Sequence, residues 1–262
     1  MSWPSWLPLR ESLRPMSPYG APQVPAQASL NTNENPYSPS PALQKAITDA
    51  VAKVAADLNR YPDRDATALR TKLATYINEL SGTKFSADNI WAANGSNEII
   101  QSIFLAFAQG PVLGFTPSYS MHPLIAKVTG AQWIDGKRNT DFSLNTTDAI
   151  AEIQKNKPTL TFITTPNNPT GGAVTIAEIQ KLADACKSVG GLLVVDEAYA
   201  EFSQEKSAVT LIANNPHVIV IRTMSKAFAF AGARVGYLVS DVAVKDAMMI
   251  VRLPYHLSAL TQ

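Results

Sequence analysis

The 262-residue chain balances 22 Lys and Arg against 21 Asp and Glu, a formal net charge of +1, with 46% hydrophobic and 16% charged residues. That composition is globular, is long enough for a sizeable core, and gives no basis for nucleic acid or an anionic membrane as a partner. The single Cys186 excludes an internal disulfide and fits a reducing compartment. No apolar run is long enough for a membrane helix, and the N-terminus lacks the basic and apolar pattern of a secretory signal, so no leader and a cytoplasmic protein are expected.

Residues 1–41 hold nine of the 18 prolines, which forbids a long helix or central strand and predicts an irregular N-terminal arm. Within it, Leu30-Asn31-Thr32-Asn33-Glu34-Asn35-Pro36-Tyr37 is polar and turn-forming, by itself a surface loop. From Pro41 to Leu58 the residues Leu43, Ile47, Ala50, Val51, Val54 and Leu58 recur on one helical face, with proline at the start. Asn59-Arg60-Tyr61-Pro62-Asp63 breaks that helix. A second presents Leu69, Leu73, Tyr76, Ile77 and Leu80 and stops at Gly82.

From residue 89 onward short apolar runs alternate with helical patterns. Ile90-Trp91-Ala92-Ala93 reads as a strand, and Asn94-Gly95-Ser96-Asn97-Glu98 opens a helix with Ile99, Ile100, Ile103, Phe104 and Phe107 on its inner face. A strand, a small-residue turn and a helix N-terminus make an anion site, because the first amides are unpaired and the dipole favours negative charge. Pro111 to Phe115 is another strand, and Thr116-Pro117-Ser118-Tyr119 leads into a helix reaching Gly130. Leu160 to Thr165 is a strand ending in the turn Pro166-Asn167-Asn168-Pro169-Thr170-Gly171-Gly172. After a helix over 176–189, Leu192-Leu193-Val194-Val195 is apolar on both faces, as a central parallel strand is, and it terminates in Asp196. A carboxylate there is costly without a positive partner, and a protonated pyridine nitrogen is one such partner; Tyr199 lies three residues on.

Val218-Ile219-Val220-Ile221 and the strand beginning at Arg234 bracket Thr223-Met224-Ser225-Lys226. A lysine amine forms a Schiff base with an aldehyde once its pKa is lowered, while hydroxyls and a guanidinium hold a phosphate dianion. These residue types suit a pyridoxal phosphate site. A last helix spans Asp241 to Val251. No G-x-G-x-x-G, nucleophile elbow or metal-ligand spacing occurs, and His122, His217 and His256 are scattered. The alternation predicts an α/β fold, a mostly parallel central sheet with helices on both faces, whose ligand sits at the strand C-termini.

On Ser17-Pro18-Tyr19-Gly20-Ala21-Pro22, Asn31 to Tyr37, Tyr61-Pro62-Asp63, Asn94 to Glu98, Asn167-Asn168-Pro169-Thr170-Gly171, Asp196-Glu197-Ala198-Tyr199 and Ser225-Lys226-Ala227-Phe228, the sequence resembles the fold-type I pyridoxal-phosphate aminotransferases, and among them the histidinol-phosphate branch. The resemblance covers roughly residues 17–262. It implies pyridoxal 5'-phosphate as cofactor, small-molecule substrates (histidinol phosphate, and glutamate or 2-oxoglutarate), a cytoplasmic homodimer with shared sites, and a place in histidine biosynthesis. It implies that Lys226 carries the cofactor and then moves the proton between Cα and C4′, and that Asp196 keeps the pyridine nitrogen protonated. Tyr199 and Asn168 hold the ring oxygen, Tyr119 stacks on the ring, and Ser96, Asn97, Thr223, Ser225 and Arg234 hold the phosphate. Tyr61 reaches the phosphate of the partner subunit's cofactor, and Tyr19, Asn35 and Tyr255 lie on the substrate side.

The division expected is an arm over 1–41, a cofactor-binding large domain over 42–251 and, over 252–262, the start of a truncated small domain. Members of the family continue further, through a stretch with the arginine that clamps the glutamate carboxylate. The chain ending at Gln262 is therefore expected to keep the cofactor constellation, to expose Leu253, Leu257 and Leu260, and to be poorly soluble and nearly inactive alone. Other readings remain open at this point. They are an aromatic amino-acid aminotransferase, a lyase such as a threonine-phosphate decarboxylase, and an inactive cofactor-binding fragment.

Overall fold

The computed structural model describes residues 3–25, 27, 28 and 30–262. Seven strands form one sheet: β1 (Ile90–Asn94), β2 (Val112–Thr116), β3 (Trp133–Lys137), β4 (Leu160–Thr164), β5 (Leu192–Asp196), β6 (Val218–Thr223) and β7 (Val235–Val239). Their order is β1-β7-β6-β5-β4-β2-β3. β7 pairs antiparallel with both neighbours, while β6, β5, β4, β2 and β3 run parallel. The predicted mostly parallel sheet is therefore present, with β7 alone running against the rest.

The described residues form seven α-helices, α1 (Pro41–Ala55), α2 (Thr67–Ser81), α3 (Ser96–Phe107), α4 (Met121–Thr129), α5 (Thr146–Asn156), α6 (Ile176–Ser188) and α7 (Val242–Val251), of which all but α1 bury residues in the core. The pleat sends alternate strand residues to opposite faces. Val194, Ile219, Ile221 and Leu238 pack with α3, α4 and α7 through Ile103, Phe104, Ala126 and Met248. Val195, Val220, Tyr237 and Val239 pack on the other face with α2, α5 and α6 through Ile77, Ile153 and Leu182. The result is a three-layer sandwich with two cores.

Local signals set the helix ends. Ser40 caps α1 at Leu43 N with Pro41 in the first turn, Asn145 caps α5, and Thr175 with Glu178 forms a capping box on α6. Gly82 and Gly130 close α2 and α4 in the left-handed conformation. β3 and α5 were not foreseen: β3 is a five-residue edge strand reading Trp-Ile-Asp-Gly-Lys, and α5 is mostly polar.

At the C-terminal end, Leu253 and Leu260 are exposed as expected, but Leu257 is fully buried. It joins the core on the α2 face, because residues 252–262 fold back on the 61–65 loop. There Arg252 donates to Arg64 O and Asp65 Oδ1, and Gln262 Nε2 donates to Asp63 O. Among the described residues no helix is long and apolar enough to cross a membrane.

Candidate active site

The C-terminal ends of β2, β4, β5 and β6, with the start of α3, converge on a cavity of about 620 Å³. Tyr19, Asn31, Thr32, Asn33 and Glu34 of the arm close it from one side. The residues expected there from opposite ends of the sequence do meet: Ser96, Asn97, Tyr119, Asn168, Asp196, Tyr199, Thr223, Ser225, Lys226 and Arg234 all line it.

One end is an anion cradle. Gly95 takes φ +80° before α3, and a Cβ there would meet Arg234 Nη2 at 2.5 Å. Across from it, a Cβ on Gly236 would meet Ser96 N at 2.5 Å, so Gly236 is needed for the approach of β7 to the first turn of α3 and Gly95 for its positive φ. The Arg234 guanidinium thus lies over the unpaired amides of a 12-residue helix, beside the hydroxyls of Ser96, Thr223 and Ser225. Thr223 Oγ1 donates to Ser225 Oγ at 3.0 Å and accepts from Ser225 N at 3.2 Å. Fixed cation, helix N-terminus and hydroxyls are the donor set a phosphate dianion needs.

The opposite end is anionic. Asp196 is 2% exposed; its Oδ1 accepts from Ala198 N at 3.1 Å and its Oδ2 lies 3.0 Å from His122 Nε2. His122 sits against Tyr119 and Phe162, ring centroids 5.4 and 4.8 Å away. Its place could not be read from the sequence, since 74 residues separate it from Asp196 and no spacing links them. Tyr119 donates to Asn97 Oδ1, and burial pushes its phenol up to about 12, so it stands as a neutral ring wall. Tyr199 OH accepts from Asn33 Nδ2 at 3.0 Å and from Asn168 Nδ2 at 3.4 Å, and burial raises its pKa against the opposing Asn33 bond. Asn167, by contrast, is buried among Ser118, Pro117 O and Thr170 and only shapes the turn.

Lys226 Nζ lies between these ends, 5.7 Å from the Tyr199 ring centroid. It donates to Thr32 O at 2.8 Å and Asn33 O at 3.3 Å. Its pKa is lowered, first by burial and then by Arg234, with Glu34 opposing. That direction enlarges the neutral, nucleophilic fraction.

Three residues expected at the site stand outside the cavity. Asn35 sends its amide to Lys226 O and Ala227 O at 3.4 Å, holding the backbone beneath the lysine rather than facing a substrate. Tyr255, expected on the substrate side, stacks instead on Tyr61 at 4.6 Å, because Arg252 draws the C-terminal stretch onto the 61–65 loop. Tyr61 itself is 81% exposed and does not line its own chain's cavity. Among the described residues no cluster of potential metal ligands occurs.

Comparison with known proteins agrees with this geometry. The aminotransferase class I and II family matches residues 25–262. The chain belongs to this family. Within the aminotransferases, a histidinol-phosphate aminotransferase of Mycobacterium sp. (strain KMS) is 53% identical over 260 residues, covering 98% of this chain and 68% of that protein. One from Thermobifida fusca (strain YX) is 54% identical over 261 residues, covering 98% and 69%. Histidinol-phosphate aminotransferase from Sinorhizobium meliloti, solved in complex with pyridoxal-5'-phosphate, shares the fold with a TM-score of 0.74 at 24% identity, over 88% of this chain and 60% of that one. The chain thus spans about two thirds of the length of its aminotransferase relatives.

Proposed function

We propose that this aminotransferase chain binds pyridoxal 5'-phosphate on Lys226 and exchanges the amino group of histidinol phosphate with 2-oxoglutarate. The observation that carries the reading is the meeting of Lys226, the Arg234 cradle and buried Asp196 in one cavity, in a chain 53% identical to proteins named for that reaction. When bound, the cofactor supplies an electron sink for charge developing at the amine-bearing carbon.

The chain's own groups have separate tasks. Ser96, Asn97, Thr223, Ser225 and Arg234 would hold the phosphate. Asp196, braced by His122, would hold the proton on the ring nitrogen. Tyr199 and Asn168 would donate to the ring oxygen, and Tyr119 would lie flat on the ring. Lys226 would take and return the proton at Cα, and the lowering of its pKa by burial favours the neutral amine that this role needs. Tyr19 would line the substrate side, while Asn35 would act through the Lys226 backbone. The 81% exposed Tyr61 supports a homodimer in which it reaches the phosphate in a second copy, with Tyr255 behind it. Residues 42–251 would form the large domain behind the 1–41 arm, with 252–262 leading toward a smaller one.

Because the chain alone is expected to turn over poorly without the carboxylate clamp, the test is single-turnover conversion by the loaded chain extended with the C-terminal segment of a longer relative. Histidinol phosphate and glutamate should each convert bound pyridoxal phosphate to pyridoxamine phosphate. Faster conversion by phenylalanine, or release of carbon dioxide from threonine phosphate, would point to a different reaction.

A further inference from the structure

Beneath the cavity lies a buried charge cluster that the reaction does not use. Asp196 and Thr223 follow the parity of Val194 and Ile221 and face the α3 side of the sheet, whereas Glu197 and Arg222 follow Val195 and Val220 and face the α2 side. Glu197 N donates to Ile221 O at 2.9 Å, continuing the β5–β6 ladder. Arg222 is 1% exposed; its Nη1 donates to Glu197 Oε2 and its Nη2 to Glu201 Oε1, both at 2.7 Å. Glu197 also accepts from Ser207 Oγ at 2.6 Å and Ala208 N at 2.7 Å. Tyr76 and Tyr237 face the same cluster.

We propose that Arg222 is a positioning residue whose guanidinium ties Glu197 and Glu201 together and so holds Asp196 and Tyr199 in register with Thr223, Ser225 and Lys226. The proposal rests on the cofactor reading above. Tyr199 sits midway between the two bridged carboxylates, and Asp196 directly precedes the first, so one planar fork fixes both ends of the turn that carries them. Arg222 itself directly precedes Thr223. Burial alone would lower the guanidinium pKa, but Glu197, Tyr237 and Glu201 more than offset it and leave the value raised, so the charge stays. Apolar residues would fill the same volume without the desolvation cost of the two buried charges of Arg222 and Glu197 and the part-buried Glu201, but would not set a distance between two strand ends.

The test uses Arg222→Lys, which keeps the charge without the fork, and the uncharged combination Arg222→Met with Glu197→Gln and Glu201→Gln, which leaves no unpaired buried charge. Each is loaded with pyridoxal phosphate, and the dissociation constant and the pH midpoint of its visible absorbance are measured beside the thermal midpoint. The expected result is cooperative unfolding in at least one variant, with cofactor held about tenfold more weakly and a displaced pH midpoint, as when partners behind a binding group are lost. A cooperatively folded variant with both quantities unchanged overturns the proposal. If the unaltered chain takes no cofactor, the functional reading fails and hydrogen exchange of the apo-protein decides this one. Arg222→Lys should then speed exchange over 197–202 and 223–227 together and leave β4 unchanged; equal rates in both segments overturn it.

Discussion

Helix α3 buries Ile99, Ile100 and Ile103 completely, whereas helix α1, with an equally regular apolar face, leaves Leu43 at 44% and Val51 at 38% exposure. α3 is held by packing between the sheet, α4 and α7. α1 is held by its own chain: the Ser40 cap, Pro41 in the first turn and a Lys45–Asp49 pair at 2.9 Å. A 15-residue helix on such terms is marginal. The difference matters for function because the first turn of α3 is the floor of the anion cradle. Groups that must hold an anion within tenths of an ångström stand on the packed half, and the loosely attached half contributes the strap across the lysine.

The largest effect should come from the packed half at the chemistry itself. In a full-length version carrying the C-terminal segment, Asp196→Asn removes the charge facing the ring nitrogen and should slow exchange of the glutamate Cα hydrogen by about a hundredfold or more, with cofactor still bound. Unchanged exchange by NMR in deuterium oxide would remove Asp196 from its role. Next, Ile103→Ala empties a fully buried site and should cost about 2–5 kcal/mol, while Leu43→Ala on α1 should cost no more than about 0.5 kcal/mol. Equal losses in denaturant unfolding would erase the contrast between the helices. Ser40→Ala should cost α1 about 1 kcal/mol, read as lost helicity, with cofactor affinity unchanged.

The smallest effect concerns the strap. Cofactor attachment needs the neutral Lys226 amine, so its rate should fall as pH drops through the lowered lysine pKa. Glu34 raises that pKa. Glu34→Gln should therefore move the fall to lower pH and quicken attachment at neutral pH; a shift to higher pH would contradict the assignment.

What could be read in the sequence divides along the same line. The apolar runs ending in Asp196 and Thr223 declare strands, and their ends declare the site, because a parallel sheet collects its strand C-termini on one edge. α1 was legible as a helix, but periodicity names a face and not what covers it. β3 escaped because an edge strand with Asp135, Gly136 and Lys137 lacks a buried strand's apolar run, and α5 because only Ala149 and Ile153 are buried. His122 escaped because its contact is made by folding alone, as did the burial of Leu257 and the Tyr61–Tyr255 stack.

The central claim is that Lys226 is the attachment point for the cofactor. The chain is incubated with pyridoxal phosphate, reduced with borohydride, digested, and its peptides weighed. A pyridoxyl group on the peptide containing Lys226, absent in Lys226→Ala, is the result expected. The same group on another lysine, or retained after Lys226→Ala, would contradict the account.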